Sequence, residues 1–234
     1  MNVRAVVIVG MMLSAGVAFA AESMELKTPK DKASYAIGMD MGRSLKRNEV
    51  DIDPDILGKA IKDLLTGQKT LMTEEEVRTT LTTLQQEMQV KRQEKMKTQG
   101  EKNKKDGEAF LAENKKKEGV KTLPSGLQYK VISEGKGKSP KAEDTVTVQY
   151  KGTLIDGTEF DSSMKHGKPA TFPVNGVIKG WSEALQLMKE GDKRMLYIPA
   201  DLAYGETGTS GGPIGPNSTL IFEVELVSVA PKTK

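Results

Sequence analysis

The sequence predicts an α+β protein: a helical front half, then an antiparallel sheet wrapped on one short helix. Three observations lead there. Apolar residues recur at helical spacing as far as Met88, and from Thr122 onward they alternate at spacing two. Eight of the eleven aromatic residues (five Phe, five Tyr, one Trp) lie between Tyr129 and Phe222, which places the large core in the distal half. That half also shows hairpins and a single helix instead of repeated strand-helix-strand units, the pattern of antiparallel pairing.

Length and charge narrow the function. The 234 residues suit two domains better than one, because composition changes sharply near residue 120. A net charge of +3 gives no broad basic field, so nucleic acid is not expected as a partner. With no Cys and a single His, a Cys–His pair and a zinc site needing two such ligands are excluded, and no metal or cofactor is expected. His166 lies in a Gly- and Lys-rich loop and is read as solvated. No G-x-S-x-G elbow, P-loop or dinucleotide fingerprint appears.

Residues 1–20 read as a secretory signal: Arg4, an apolar run over 6–13, then Ala18-Phe19-Ala20 as the cleavage site. The run is short against the ~20 residues a membrane span needs. The expected product is therefore exported and soluble, with no membrane span after cleavage. A bacterial periplasm is the simplest destination, the cell surface the alternative.

Residues 21–72 are expected to form a helical dimerisation domain. Thr28 caps a helix that has Pro29 at its first position and runs to about Arg47, with Ile37, Met41 and Leu45 on one face and Ala33, Gly38 and Gly42 leaving room for another backbone. Asp53-Pro54 starts a second helix in the same manner. Its Ile56, Leu57, Ala60, Ile61, Leu64 and Leu65 form a broad apolar stripe, and Gly67 ends it. Two such helices bury too little surface to stand alone, so they need a partner, and a symmetric homodimer is the commonest solution.

Thr73 to Glu76 is a capping box opening a third helix, expected over 73–117 and roughly 65 Å long at 1.5 Å per residue. Val77, Leu81, Leu84 and Met88 make a short apolar seam on it. Beyond Met88 nearly everything is polar, with pairs four apart at Glu87-Lys91, Glu101-Lys105 and Glu113-Lys117. The second half is accordingly read as a solvent-exposed strut, with Gly100 and Gly107 each costing about 1 kcal/mol relative to Ala.

Residues 118–234 form the sheet domain. A strand over 127–132 is followed by a loop, then by a strand carrying Val146, Val148 and Tyr150 on one face. Asp156-Gly157 is the hairpin signal, read as a type I′ turn that brings Phe160 and Asp161 back towards Tyr150. Phe172 rejoins the same apolar side. Val177-Ile178 leads through Lys179-Gly180 into a short helix starting at Trp181, with Ala184, Leu185 and Met188 at helical spacing. A helix entry leaves N–H groups unpaired, so the Ile178 amide is free to meet a substrate carbonyl. Met195 to Ile198 is a strand ended by Pro199, and Leu220, Phe222, Val224 and Leu226 share one face of the last strand.

Read from the residues alone, this is an aromatic cavity with one acid and one or two free donors, suited to an apolar ring. The ordered set YKGTLIDGTEFDSS, VIKGW, Ala203-Tyr204-Gly205 and TLIFEVEL resembles the FKBP-type peptidyl-prolyl cis-trans isomerases over roughly the last half of the chain. The GGPIGPN loop and the helical front half resemble the Mip-like (macrophage infectivity potentiator) branch.

The resemblance implies a half-barrel FKBP-like fold and an enzyme that speeds Xaa-Pro rotation in folding exported proteins, with chaperone activity as a homodimer. It implies catalytic roles for Tyr150, Phe160, Asp161, Ile178, Trp181, Tyr204 and Phe222, and substrate contacts at Phe172, Val177 and Ile214. Macrolide inhibitors are a further ligand class it implies, but Ala170 and Leu202 stand where single-domain members carry aromatics and widen the rim. The alternative is a non-catalytic binding protein or holdase for proline-containing segments.

Overall fold

A computed structural model of the chain describes residues 25–231; the expected signal segment lies outside them. The chain divides into two compact units, one up to Thr73 and one from Glu74 onward.

The first unit holds α1 (Pro29–Arg47) and α2 (Pro54–Leu65). At the entry of α1 the Asp31 N–H donates to the Thr28 hydroxyl, and the Thr28 N–H donates back to the Asp31 carboxylate at 2.8 Å, a reciprocal box. Asp53 caps α2 by accepting from the N–H groups of Asp55 and Ile56, with Pro54 just inside. Gly67, at φ 67°, follows the helix end. No residue of α1 is buried. In α2 only Asp63 is, held by Lys59 one turn earlier at 2.7 Å, while Ile56 and Leu65 are 66% and 83% exposed.

The second unit opens with α3 (Glu74–Asn114), which stops three residues short of the expected end. Glu113 pairs with Lys116 at 2.7 Å instead of Lys117, which lies past the helix and sits over the Phe110 ring. The larger correction concerns its last four turns, which are not a solvated strut. Gly100, Gly107 and Asn114 are buried at sevenfold spacing on one face, with Asn103, Phe110 and Leu111 half-buried between them. A β-carbon at Gly107 would overlap the Thr219 hydroxyl, and one at Gly100 would press on Pro216. The glycines are therefore places where the helix backbone touches the sheet domain, and the propensity they lose is offset by that contact.

Seven strands follow: β1 (Val120–Thr122), β2 (Gln128–Ser133), β3 (Thr145–Leu154), β4 (Glu159–Ser162), β5 (Ala170–Pro173), β6 (Lys193–Ile198) and β7 (Leu220–Ala230). They pair antiparallel in the order β1-β2-β6-β7-β3-β4, with β5 also on β3. The alternation read in the sequence sets the faces. Val146, Val148 and Tyr150 of β3 and Leu220, Phe222, Val224 and Leu226 of β7 all point into the core. The short helix α4 (Lys179–Gln186) begins two residues earlier than expected and lays Trp181, Ala184 and Leu185 into the same core, with Met188 just beyond it.

The β3–β4 hairpin is present, but its turn is not type I′. The Gly157 N–H donates to the Leu154 carbonyl, which makes Ile155 and Asp156 the central pair. Outside glycine only Glu49 and Asn217 have positive φ among the described residues, so Asp156 is not left-handed and Gly157 alone (φ 87°) is. This is the longer loop that ends on a glycine. Asp156 works there through its side chain, accepting from the Thr158 N–H at 2.9 Å.

Candidate active site

Five aromatic rings converge where β3, β4, β5, β7 and α4 meet. Trp181 is the hub: its ring centroid lies 5.3 Å from Tyr150, 5.2 Å from Phe222 and 6.0 Å from Phe172, each pair edge-to-face. Phe160 joins through Phe222 at 5.4 Å and 84°. Such contacts are the favoured geometry for rings whose edges are positive and faces negative.

The register explains the convergence. Gly152 of β3 stands between Asp161 of β4 and Phe222 of β7. A β-carbon there would strike both the Phe160 and Phe222 rings, so the bare glycine lets them meet.

Trp181, Tyr150, Phe222 and Ile214 are buried, Phe160, Phe172, Val177 and Ile178 half-buried, and Tyr204 40% exposed at the edge. The structure thus brings Tyr150, Phe160, Phe172, Trp181 and Phe222 into one ring cluster, with Val177 and Ile178 packed against the same core. The Ile178 carbonyl accepts from the N–H groups of Trp181 and Ser182 and so opens α4, while its own N–H has no partner among the described residues. The indole N–H of Trp181 is buried and equally unpartnered. Ala170 and Leu202 are half-buried against this core, small and aliphatic as expected.

One polar pair breaks the apolar lining. The Tyr150 hydroxyl donates to Asp161 Oδ2 at 2.6 Å. Burial pushes the phenol well above its usual range, and the neighbouring carboxylate adds to that. Partial burial pulls Asp161 upward too, but bonds from Tyr150, His166 and the Ser162 N–H outweigh it and hold the carboxyl below its usual range. The pair is therefore a neutral phenol donating to an ionised carboxylate across ordinary pH. His166, read as a solvated loop residue, is exposed, and its Nε2 also lies 3.2 Å from Asp161 Oδ1. Sequence distance gave one clue, five residues with a helical turn's worth of chain between, but nothing in composition distinguished it from a free histidine.

The front wall is held from outside. Asn103 of α3 donates to the Pro216 carbonyl at 2.8 Å, and Asn217 donates back to the Gly100 carbonyl at 3.4 Å. These bonds pin the 205–219 segment that carries Ile214. Phe110 packs on Tyr197 of β6, and Asn114 donates to Gln128, whose amide in turn donates to the Leu111 carbonyl. A separate cleft of about 490 Å³ between α3 and the β3–β4 hairpin is lined by Gln99, Lys102, Asn103 and Asp156 and by none of the aromatic set.

Comparison with known proteins decides the family. Residues 136–227 match the family model for the FKBP-type peptidyl-prolyl cis-trans isomerase, and residues 30–131 the model for the domain amino terminal to it. The chain belongs to the FKBP-type peptidyl-prolyl cis-trans isomerases. It is similar to the outer membrane protein MIP of Legionella longbeachae, 50% identical over 95% of this chain and 94% of the other. It is 40% identical to the isomerase FkpA of Escherichia coli K12 over 95% of this chain and 87% of that one. The crystal structure of FkpA from Escherichia coli superposes with a TM-score of 0.69 over 89% of this chain and all of the other. The α+β FKBP-like fold with a helical front part and a long helix is shared with that structure, and the isomerase reading prevails over a binding protein without turnover. Among the described residues of this isomerase no helix is long and apolar enough to cross a membrane.

Proposed function

We propose that the aromatic cleft is where this isomerase rotates Xaa-Pro bonds, with the prolyl ring over the Trp181 indole and Tyr150, Phe160 and Phe222 as walls. The Ile178 N–H and the Tyr204 hydroxyl meet substrate carbonyls, Asp161 holds Tyr150, and Phe172, Val177 and Ile214 complete the contact surface.

The chemistry asks for no nucleophile. Rotation breaks amide resonance against a barrier of about 18–20 kcal/mol, which leaves unaided exchange on the order of tens to hundreds of seconds. In the twisted transition state the carbonyl oxygen has lost resonance charge and the prolyl nitrogen is pyramidal, so it is less polar than the planar amide. A dry apolar cleft favours that form over the ground state, which is catalysis by differential binding. The observation that supports this most is the edge-to-face cluster around the buried indole. The test is cis–trans exchange of an Xaa-Pro peptide, measured by NMR with the full chain and with alanine at Phe160; unchanged exchange would remove the assignment.

The first unit is proposed as a homodimerisation domain over 21–72, and the protein as an exported, soluble folding catalyst of the periplasm or cell surface. Ile37 of α1 and Ile56, Leu64 and Leu65 of α2 are large apolar side chains left exposed, which favours covering them with a second copy. A β-carbon at Gly38, Gly42 or Gly58 would meet nothing within 4 Å, so close backbone approach there is still open. Export rests on the signal-like residues 1–20. Its clients are then exported proteins with Xaa-Pro bonds, captured by paired arms in a chaperone-like manner. Macrolides are candidate inhibitors, and the small Ala170 and Leu202 leave the rim wide.

A further inference from the structure

Asp161 has two oxygens and serves two neighbours. Oδ2 accepts from the Tyr150 hydroxyl at 2.6 Å. Oδ1 accepts from the Ser162 N–H at 2.9 Å and lies 3.2 Å from His166 Nε2. The carboxylate is thus a bridge whose far side is an imidazole and whose near side is a wall of the cleft. His166 ends the short 3₁₀ turn Ser163–His166, which closes when the Gly167 N–H donates to the Met164 carbonyl, Gly167 being left-handed at φ 71°. That turn fixes where the ring starts from.

We propose that His166 is a positioning residue for isomerisation: its protonated imidazole fixes the Asp161 carboxylate that holds the Tyr150 hydroxyl, so turnover depends on pH where histidine changes charge. This rests on the reading that the aromatic cleft is the site of rotation.

The protonation state decides the strength of the bridge. A charged imidazole has two N–H donors, and its bond to a carboxylate is charge-assisted. A neutral ring has one donor and one bare nitrogen. If the bare one is Nε2, it meets Oδ1 lone pair to lone pair, and a side chain 61% exposed swings away readily. Either change removes one of the three contacts that orient the carboxylate and leaves the Ser162 N–H and the Tyr150 hydroxyl to hold it. Tyr150 registers that change through its hydroxyl bond to Oδ2, its ring being in edge-to-face contact with Phe172 and Trp181.

The other charges of this patch are accounted for. Glu159 of β4 is shared between Lys165 of the same turn, at 3.3 Å, and Lys151 of β3, at 3.5 Å. Tyr204 is the remaining titratable group that Tyr150 feels. Histidine is the side-chain type whose charge changes near neutral pH, and the chain has one His.

The experiment is exchange of an Xaa-Pro peptide by the untagged full chain at pH 5.5 to 8, compared with H166Q and H166R. Exposed ion pairs are weak, so kcat/KM of the wild type is expected to be about two- to fivefold higher at pH 5.5 than at pH 8. H166R should hold the high value at every pH and H166Q the low one. The Tyr150 ring resonances should move with pH in the wild type and stay still in H166Q. A flat wild-type profile, or an H166Q profile as steep as the wild type, overturns the proposal. Should alanine at Tyr150, Phe160 and Phe222 abolish exchange while H166Q follows the wild type, only this inference fails. Should those alanines leave exchange intact, the site assignment itself fails.

Discussion

Gly107 of α3 lies against Thr219, the residue before β7, so closely that a single added carbon would overlap the threonine hydroxyl. The contact joins residues 112 positions apart and ties the long helix to the segment that carries Ile214. G107V should therefore destabilise the second unit by about 1–3 kcal/mol, as overpacking does, despite removing a glycine from a helix. Urea unfolding followed by Trp181 fluorescence measures it; a more stable variant would mean that α3 does not dock.

The same interface predicts how fragments behave. One beginning at Lys121 loses the Phe110–Tyr197 contact and leaves Gln128 without Asn114 and the Leu111 carbonyl. It should be less stable than one beginning at Met96 by about 2–4 kcal/mol, since a buried amide is left unpaired as well as an aromatic face uncovered. Equal unfolding midpoints would contradict this.

Alanine at Phe160 or Phe222 should lower kcat/KM for an Xaa-Pro peptide by about 10- to 100-fold, the equivalent of one lost aromatic wall, about 1.5–3 kcal/mol. Circular dichroism on the same samples separates loss of a wall from loss of the fold.

Asp192 predicts an acid response. Its carboxylate, 4% exposed, accepts from the Gly135 N–H at 2.7 Å and from Arg194 at 2.7 Å, and Arg194 stacks on Tyr129. Burial pulls this carboxyl upward, but these partners win and hold it below its ordinary 3.8. A carboxyl lowered in the folded state contributes its stability above the unfolded value and loses it as pH falls through the folded one. Denaturant midpoints should thus fall below about pH 4. D192N should cost about 3–5 kcal/mol at neutral pH by stranding Arg194, with less further loss in acid. An unchanged midpoint at pH 7 would show that the pair carries no stability.

Deleting residues 22–72 should give monomers in light scattering while leaving small-peptide exchange unchanged, because the cleft draws every residue from the second unit. A dimeric truncation would move the dimer interface elsewhere.

The legible parts of this chain are those written in local chemistry. Thr28-Pro29 and Asp53-Pro54 announce helix starts because caps and fixed φ act within one turn, and the alternation through Val146, Val148 and Tyr150 specifies a face because side chains on a strand repeat every two residues. The order of the aromatic motifs carried the ring cluster for a related reason: each motif holds its own strand or helix entry. What only the tertiary structure decided are relations between distant residues. A polar helix with two glycines reads as a strut until Pro216 and Thr219 are found against it. Asp156-Gly157 reads as a type I′ turn until the bond to Leu154 shows which residues stand at its centre. His166 reads as solvated and is exposed, but only the 3₁₀ turn shows that its ring also lies beside Asp161. Sequence determines which residues are able to lie close, by their period and their size; the packed sheet determines which of them do, because a contact across a hundred residues depends on every strand between.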